Sequence, residues 1–243
     1  MKVLLTGKNA KNIEPLAKQL GFEIVTAKPD VIISYGGDGT LLSSERIYPG
    51  IPKLPIRDSL ICNKCPDHKE EVLLQDLLEN RLQLQEYTKL QTSIAGQTIY
   101  ALNDFVIRNT LPIHTIRFQV TSVTSHPDER RDPYKLLIGD GIVISTSFGS
   151  TGYFKSITGQ TFKKGWGLAF NNITEKIPPI FFKDEDTVTF KLVRGTATLS
   201  FDNNPDIFKI DEGSELIFKL SNQKAKIYEA KSLRCPNCQI KRS

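Results

Sequence analysis

Apolar and polar positions change rhythm twice along this chain. Lys2–Thr6 (KVLLT) is a short apolar run of the buried-strand type. Over 9–20, Ile13, Leu16, Ala17 and Leu20 recur at helical spacing, and Gly21 ends the pattern. Residues 22–25 and Val31–Tyr35 form two further strand-like runs, separated by Pro29. A glycine-rich turn then opens a helical stretch over 41–48. This order predicts a small α/β sheet. Pro49, Pro52, Pro55 and Pro66 rule out a long regular element over 49–67. Over 68–82, Val72, Leu73, Leu77 and Leu78 again share one side of a predicted helix. From Leu84 the period drops to two. Strands are expected over 98–108, 115–123, 142–147, 187–193, 196–201, 215–220 and 225–229. Polar residues flanked by proline mark 125–133 as an exposed hairpin loop. The fold class expected is α/β + β. A small N-terminal, Rossmann-like α/β domain (1–82) precedes a larger β-sandwich-like domain (83–230) and a short tail (231–243).

Composition narrows the class only modestly. The chain has 243 residues, 39% of them hydrophobic and 24% charged, which suits a globular protein with a real core. A net charge of +5 suits an anionic small ligand and does not argue for nucleic acid. Apolar runs are strand-length, far short of the ~20 residues of a membrane helix. The first residues, MKVLLTG, lack the apolar core of a secretion signal, so a cytoplasmic location is expected.

The candidate chemistry begins at Gly36, Gly37, Asp38, Gly39 and Thr40. A glycine turn between strand and helix presents backbone N–H groups to an anion, aided by the helix dipole. A carboxylate inside such a turn repels phosphate, so Asp38 is a base for a hydroxyl, a magnesium contact or simply a helix cap. A second block, 138–153, reads IGDGIVISTSFGSTGY. Its Ser150, Thr151 and backbone suit phosphate or ribose oxygens, and Tyr153 offers a ring and a hydroxyl. A turn followed by a helix cap explains the same residues. A third block is Ala101, Leu102, Asn103, Asp104, Phe105, Val106 and Ile107. Its two polar side chains interrupt an apolar run and must pair with backbone or with a ligand.

In this order the three blocks resemble the NAD kinase family. There a GGDGT run is followed by Ala-Leu-Asn-Glu and a DG…ST…GSTAY run. GGDGT alone is shared with lipid kinases and phosphofructokinases, and the other two blocks are more specific. The resemblance implies transfer of a phosphoryl group from ATP or polyphosphate to the 2′-hydroxyl of the adenosine ribose of NAD. Asp38 would be the base. Gly36, Gly37, Gly39, Thr40 and Arg46 would hold the donor, with Mg2+ or another divalent cation. Asn103, Asp104, Asp140, Ser150, Thr151, Tyr153 and Ser156 would line the NAD site. The family binds NAD across a subunit interface, implying a homodimer or tetramer. The alternatives are another GGDGT kinase, acting on a lipid or small metabolite, or a non-catalytic NAD(P)-binding zinc protein.

Four departures from the family pattern stand out. Asp104 replaces Glu, Gly152 replaces Ala, Phe148 stands where a small hydroxyl residue is common, and Asn203 follows Asp202 in place of Gly. The family's Gly-x-Leu-Gly-Phe-Leu segment is also missing, and the proline-rich stretch to Pro66 occupies its place. That stretch carries Cys62 and Cys65, and the C-terminus carries Cys235 and Cys238. The chain holds four cysteines, in two CxxC pairs. Two such knuckles supply the four thiolates of a structural zinc, or else form redox pairs.

Overall fold

The computed structural model describes residues 1–58, 68–123 and 136–230. The described chain divides into two units. The first comprises Met1–Tyr87 and the described residues from Lys224 onward, and the second comprises Thr88–Gln223.

In the first unit, β1 (Lys2–Thr6), β2 (Glu23–Ile24), β3 (Val31–Tyr35) and β4 (Lys53–Ile56) form a parallel sheet in the order β2-β1-β3-β4. All five residues of β3 are buried, as expected of a central parallel strand covered on both faces. Helices α1 (Glu14–Gln19), α2 (Asp38–Ile47) and α3 (Glu70–Leu78) accompany the sheet. The core gathers Val3, Ile33 and Leu54 from the strands with Ala17, Leu73 and Leu77 from the helices.

Several elements differ from expectation for identifiable reasons. The helix expected over 9–20 is a 3-10 turn (Ala10–Asn12) followed by α1, because Pro15 sits in the first turn of α1 and cannot donate to a preceding helix. The helix expected over 68–82 stops at Leu78, and Asn80 beyond it is left-handed (φ 55°). β4 was not predicted. Pro55 is accommodated there because the carbonyls that accept from Ile32 of β3 and from Gly36 just after it belong to Pro52 and Ile56, an even number of residues apart, so the edge of β4 turned to β3 does not call on Pro55 for a donor. The loop expected over 125–133 lies outside the described residues.

The second unit is two packed sheets. One contains β8 (Ile116–Val123), β9 (Leu137–Gly139), β13 (Thr187–Arg194) and β16 (Glu215–Tyr228), in the antiparallel order β16-β13-β8-β9. The strands expected over 215–220 and 225–229 are therefore one continuous β16. The hairpin of β5 (Leu84–Ile94) and β6 (Gln97–Ala101) pairs alongside β16. The other sheet orders β12 (Ile180–Phe182), β11 (Trp166–Asn171), β10 (Gly141–Thr146), β7 (Asp104–Asn109), β14 (Ala197–Phe201) and β15 (Phe208–Ile210). A short helix, α4 (Tyr153–Thr158), follows β10. Phe105 on one sheet meets Phe218 on the other at 5.5 Å between ring centroids. Phe118, Phe190, Ile144 and Trp166 fill the same layer.

Candidate active site

The strand-to-helix turn of the first unit is built by its backbone. The Gly36 N–H donates to the Ile56 carbonyl (2.9 Å), and the Asp58 N–H donates to the Gly36 carbonyl (3.3 Å). Gly36 is required here, because a Cβ on it would lie 2.2 Å from the Thr40 hydroxyl oxygen. Gly37 is the extended cap residue, and α2 begins at Asp38 itself. The helix therefore starts three residues earlier than predicted. This places the half-buried Asp38 in its first turn, at the carboxyl end of β3. Arg46 lies in the last turn and is exposed. Eight residues separate the two, about 12 Å along the axis, so they occupy opposite ends of the helix.

Beneath α2, Lys53 of β4 is fully buried and pairs with the buried Glu45; its ammonium also donates to the Tyr48 carbonyl. The pair ties the C-terminal end of α2 to the sheet. Nearby, the Tyr35 hydroxyl donates to Glu70 (3.0 Å). Burial, followed by the Glu70 carboxylate, pushes the Tyr35 phenol up to about 12.

In the second unit, the strand expected over 98–108 breaks into β6 and β7 at Leu102 and Asn103. The cause is Asp202, at the end of β14. Its carboxylate accepts the N–H groups of Leu102 (2.8 Å), Asn103 (2.6 Å) and Asp104 (3.4 Å). From the other side the Asn103 carbonyl accepts the Thr146 N–H (2.9 Å), while the Thr146 hydroxyl donates to Leu102 (2.6 Å). Gly149 closes over this loop, where a Cβ would meet the Asn103 carbonyl oxygen at 2.1 Å. The Asn103 Oδ1 is buried and has no partner among the described residues. Asp104 is buried beside Asp202. Burial, then the neighbouring Asp202, raises its carboxyl to about 7. Burial also raises Asp202, to about 6, against the lowering pull of the three backbone N–H groups and Lys89.

The other expected NAD-site residues separate into three groups. Thr151 is exposed, and Tyr153 is partly buried, its hydroxyl 3.5 Å from the Asn171 amide nitrogen. Both follow the turn after β10, as does the exposed Ser156, whose hydroxyl donates to the Gly152 carbonyl (3.2 Å). Ser150 is buried and bonded to the backbone of Ser147 and Phe162. Asp140 stands at the opposite end of β10, bonded to Asn172 (3.0 Å) and next to Asn109. Its register position is about 20 Å along the strand from Asn103, so one chain does not bring the two together. Two charged neighbours of this loop, Asp202 and Lys89, carry no assignment in the sequence. Asp202 was legible only as part of a turn, and nothing in the β5 pattern marks Lys89.

Cys62, Cys65, Cys235 and Cys238 lie outside the described residues. Among the described residues, no group of three or more His, Cys, Asp or Glu stands together as a metal site. Nor is any helix among them long and apolar enough to cross a membrane.

A parallel strand, a glycine turn and a helix-start carboxylate, together with a clamped Asn-Asp loop in a β unit, mark a phosphotransferase. No protein-family model matches the chain. It is 30% identical to an NAD kinase of Sulfurisphaera tokodaii, over 93% of this chain and 94% of that protein. It is 26% identical to NAD kinase 2 of Bacillus cereus, over 91% and 87% of the two chains. The chain belongs to the NAD kinase family. Two solved structures share its fold. One is an NAD kinase from Archaeoglobus fulgidus in complex with ATP (TM-score 0.74, 20% identity, 96% of both chains). The other is a yeast NADH kinase complexed with NADH (TM-score 0.75, 15% identity, 94% of this chain and 82% of that one).

Proposed function

We propose that this enzyme makes NADP by moving a phosphoryl group from ATP or polyphosphate to the 2′-hydroxyl of the adenosine ribose of NAD. The observation that carries the reading is Asp38, held in the first turn of α2 at the carboxyl end of β3. The backbone of 36–40 holds the donor phosphates, and a divalent ion arrives with them as part of the donor. Asp38 accepts the proton of the ribose hydroxyl as its oxygen bonds to the terminal phosphorus. The bond from that phosphorus to the bridging oxygen breaks, releasing ADP or a polyphosphate one unit shorter. Such transfer depends on positioning and charge more than on covalent chemistry. Asn103, Asp104, Thr151 and Tyr153 hold NAD, and the resemblance extends this role to Ser156. Asp140 joins that site from a second copy of the chain, which a homodimer or tetramer would allow.

Cys62, Cys65, Cys235 and Cys238 bind one structural zinc in this reading. The support is their pairing into two CxxC knuckles with no cysteine left over. No catalytic step passes through that ion, and the protein works in the cytoplasm.

Purified enzyme with ATP, magnesium and NAD is expected to form NADP, and Asp38→Ala to form essentially none. Absence of NADP from the wild type with both ATP and polyphosphate would sink the reading. Equal NADP from both proteins would remove Asp38 from its role.

A further inference from the structure

We propose that Asp202 is a positioning residue of the acceptor site, acting on NAD through the backbone of Asn103. This rests on the reading that Asn103 binds NAD. Asp202 follows β14 directly, inside a tight turn closed by the Asn204 N–H on the Phe201 carbonyl (2.9 Å). Its own backbone is left-handed, with φ at 42°. A non-glycine residue adopts that conformation at a cost, so something must hold it there. Two sets of bonds do so. The Asp202 N–H donates to the Asp104 carbonyl (3.2 Å), and the carboxylate takes the N–H groups of Leu102 and Asn103 on its two oxygens.

The consequence falls on Asn103. Its N–H is used by Asp202, and its carbonyl is used by the backbone and hydroxyl of Thr146 and by the Ser145 hydroxyl (3.3 Å). Both backbone groups of the residue are committed, while the buried Oδ1 of its side chain has no partner among the described residues. A buried amide oxygen with no partner among the described residues, carried on a locked backbone, suits a group that binds a ligand. Asp202 itself needs no contact with NAD. It fixes where the Asn103 amide stands, and a positioned group binds without first being ordered.

The test is a double-mutant cycle on the full-length enzyme, with KM for NAD and for ATP, kcat and thermal midpoint measured for each variant. Asp202→Asn keeps the shape and one acceptor oxygen, so the fold is retained. Asn103→Ala removes the positioned amide. Each is expected to raise KM for NAD about tenfold, and to leave KM for ATP within about twofold. The double variant is expected to fall well short of the product of the two single effects, because Asp202 acts on NAD chiefly through Asn103. Additive effects, or KM for NAD and ATP rising together, would overturn the proposal, since a purely structural role predicts those outcomes. If Asn103→Ala alone leaves KM for NAD unchanged while NADP still forms, the assignment of Asn103 falls, and this proposal with it. If the wild type forms no NADP, the functional reading falls first.

Discussion

The Ser150 hydroxyl and the backbone of Phe162 hold each other. The oxygen donates to the Phe162 carbonyl at 3.0 Å and accepts its N–H at 3.3 Å. With 1% of its surface exposed, Ser150 pins the turn after β10. Ser150→Ala removes the hydroxyl from that partly buried N–H. It should cost about 1–3 kcal/mol of stability. KM for NAD should change far less than in Thr151→Ala. Chemical denaturation read beside steady-state kinetics checks both; an unchanged stability would show that the pin is dispensable.

Asp104 and Asp202 make stability depend on pH. Both carboxyls are raised in the folded state, from 3.8 to about 7 and about 6. The folded protein thus binds protons that the unfolded chain has released. Their contribution is complete below about pH 4 and is lost as pH rises toward 7. Asp104→Asn removes the larger share. The variant should gain about 1–3 kcal/mol over the wild type near pH 8, and nothing near pH 4. Denaturant midpoints across this window decide it; parallel curves would show that Asp104 does not titrate there.

The buried pair of Lys53 and Glu45 should behave asymmetrically. Glu45→Gln removes the counter-charge that Glu45 gives the buried Lys53 ammonium, at a cost of about 3–5 kcal/mol. The double variant Glu45→Leu with Lys53→Met should recover most of that loss, because neither charge of the pair remains buried. A double variant no more stable than Glu45→Gln would point instead to the lost bond between Lys53 and the Tyr48 carbonyl.

The two ends of α2 should separate in kinetics. Asp38→Asn preserves the helix start and removes the base, so kcat should fall about 10²- to 10⁴-fold. Arg46→Ala, exposed in the last turn, should leave KM for ATP within about twofold. A large rise in KM for ATP would mean that Arg46 reaches the donor after all.

Zinc content tests the cysteine knuckles. Wild-type protein purified without chelator should carry about one zinc per chain, and Cys235→Ser much less. A full equivalent in that variant would exclude Cys235 as a ligand.

Much of this protein was legible in one dimension. The glycine turn, the apolar run of β3 and the two-residue alternation of β8 and β13 are local patterns. Each arises where a short stretch of chain meets one uniform environment, so periodicity reports it. The Asn103–Asp104 block stood out for the same reason, as two polar residues inside an apolar run. Boundaries were less legible. Pro15 shortened α1, and Asp202 cut one expected strand into β6 and β7. The first is a local effect, carried by Pro15 itself. The second comes from a residue about a hundred positions away, which no window of sequence contains.

The same division runs through the candidate site. Local chemistry marked Asp38 and Asn103, because a carboxylate in a glycine turn and an amide in a strand are conspicuous where they stand. Folding alone assigned Ser150 to the backbone of Phe162, sent Arg46 to the far end of α2 and parted Asp140 from Asn103 by the length of β10. It also brought Asp202 onto the loop that carries Asn103. Side-chain identity is a property of one position, whereas a hydrogen-bond partner or a strand register is a relation between distant positions. That relation exists only once the sheets have closed.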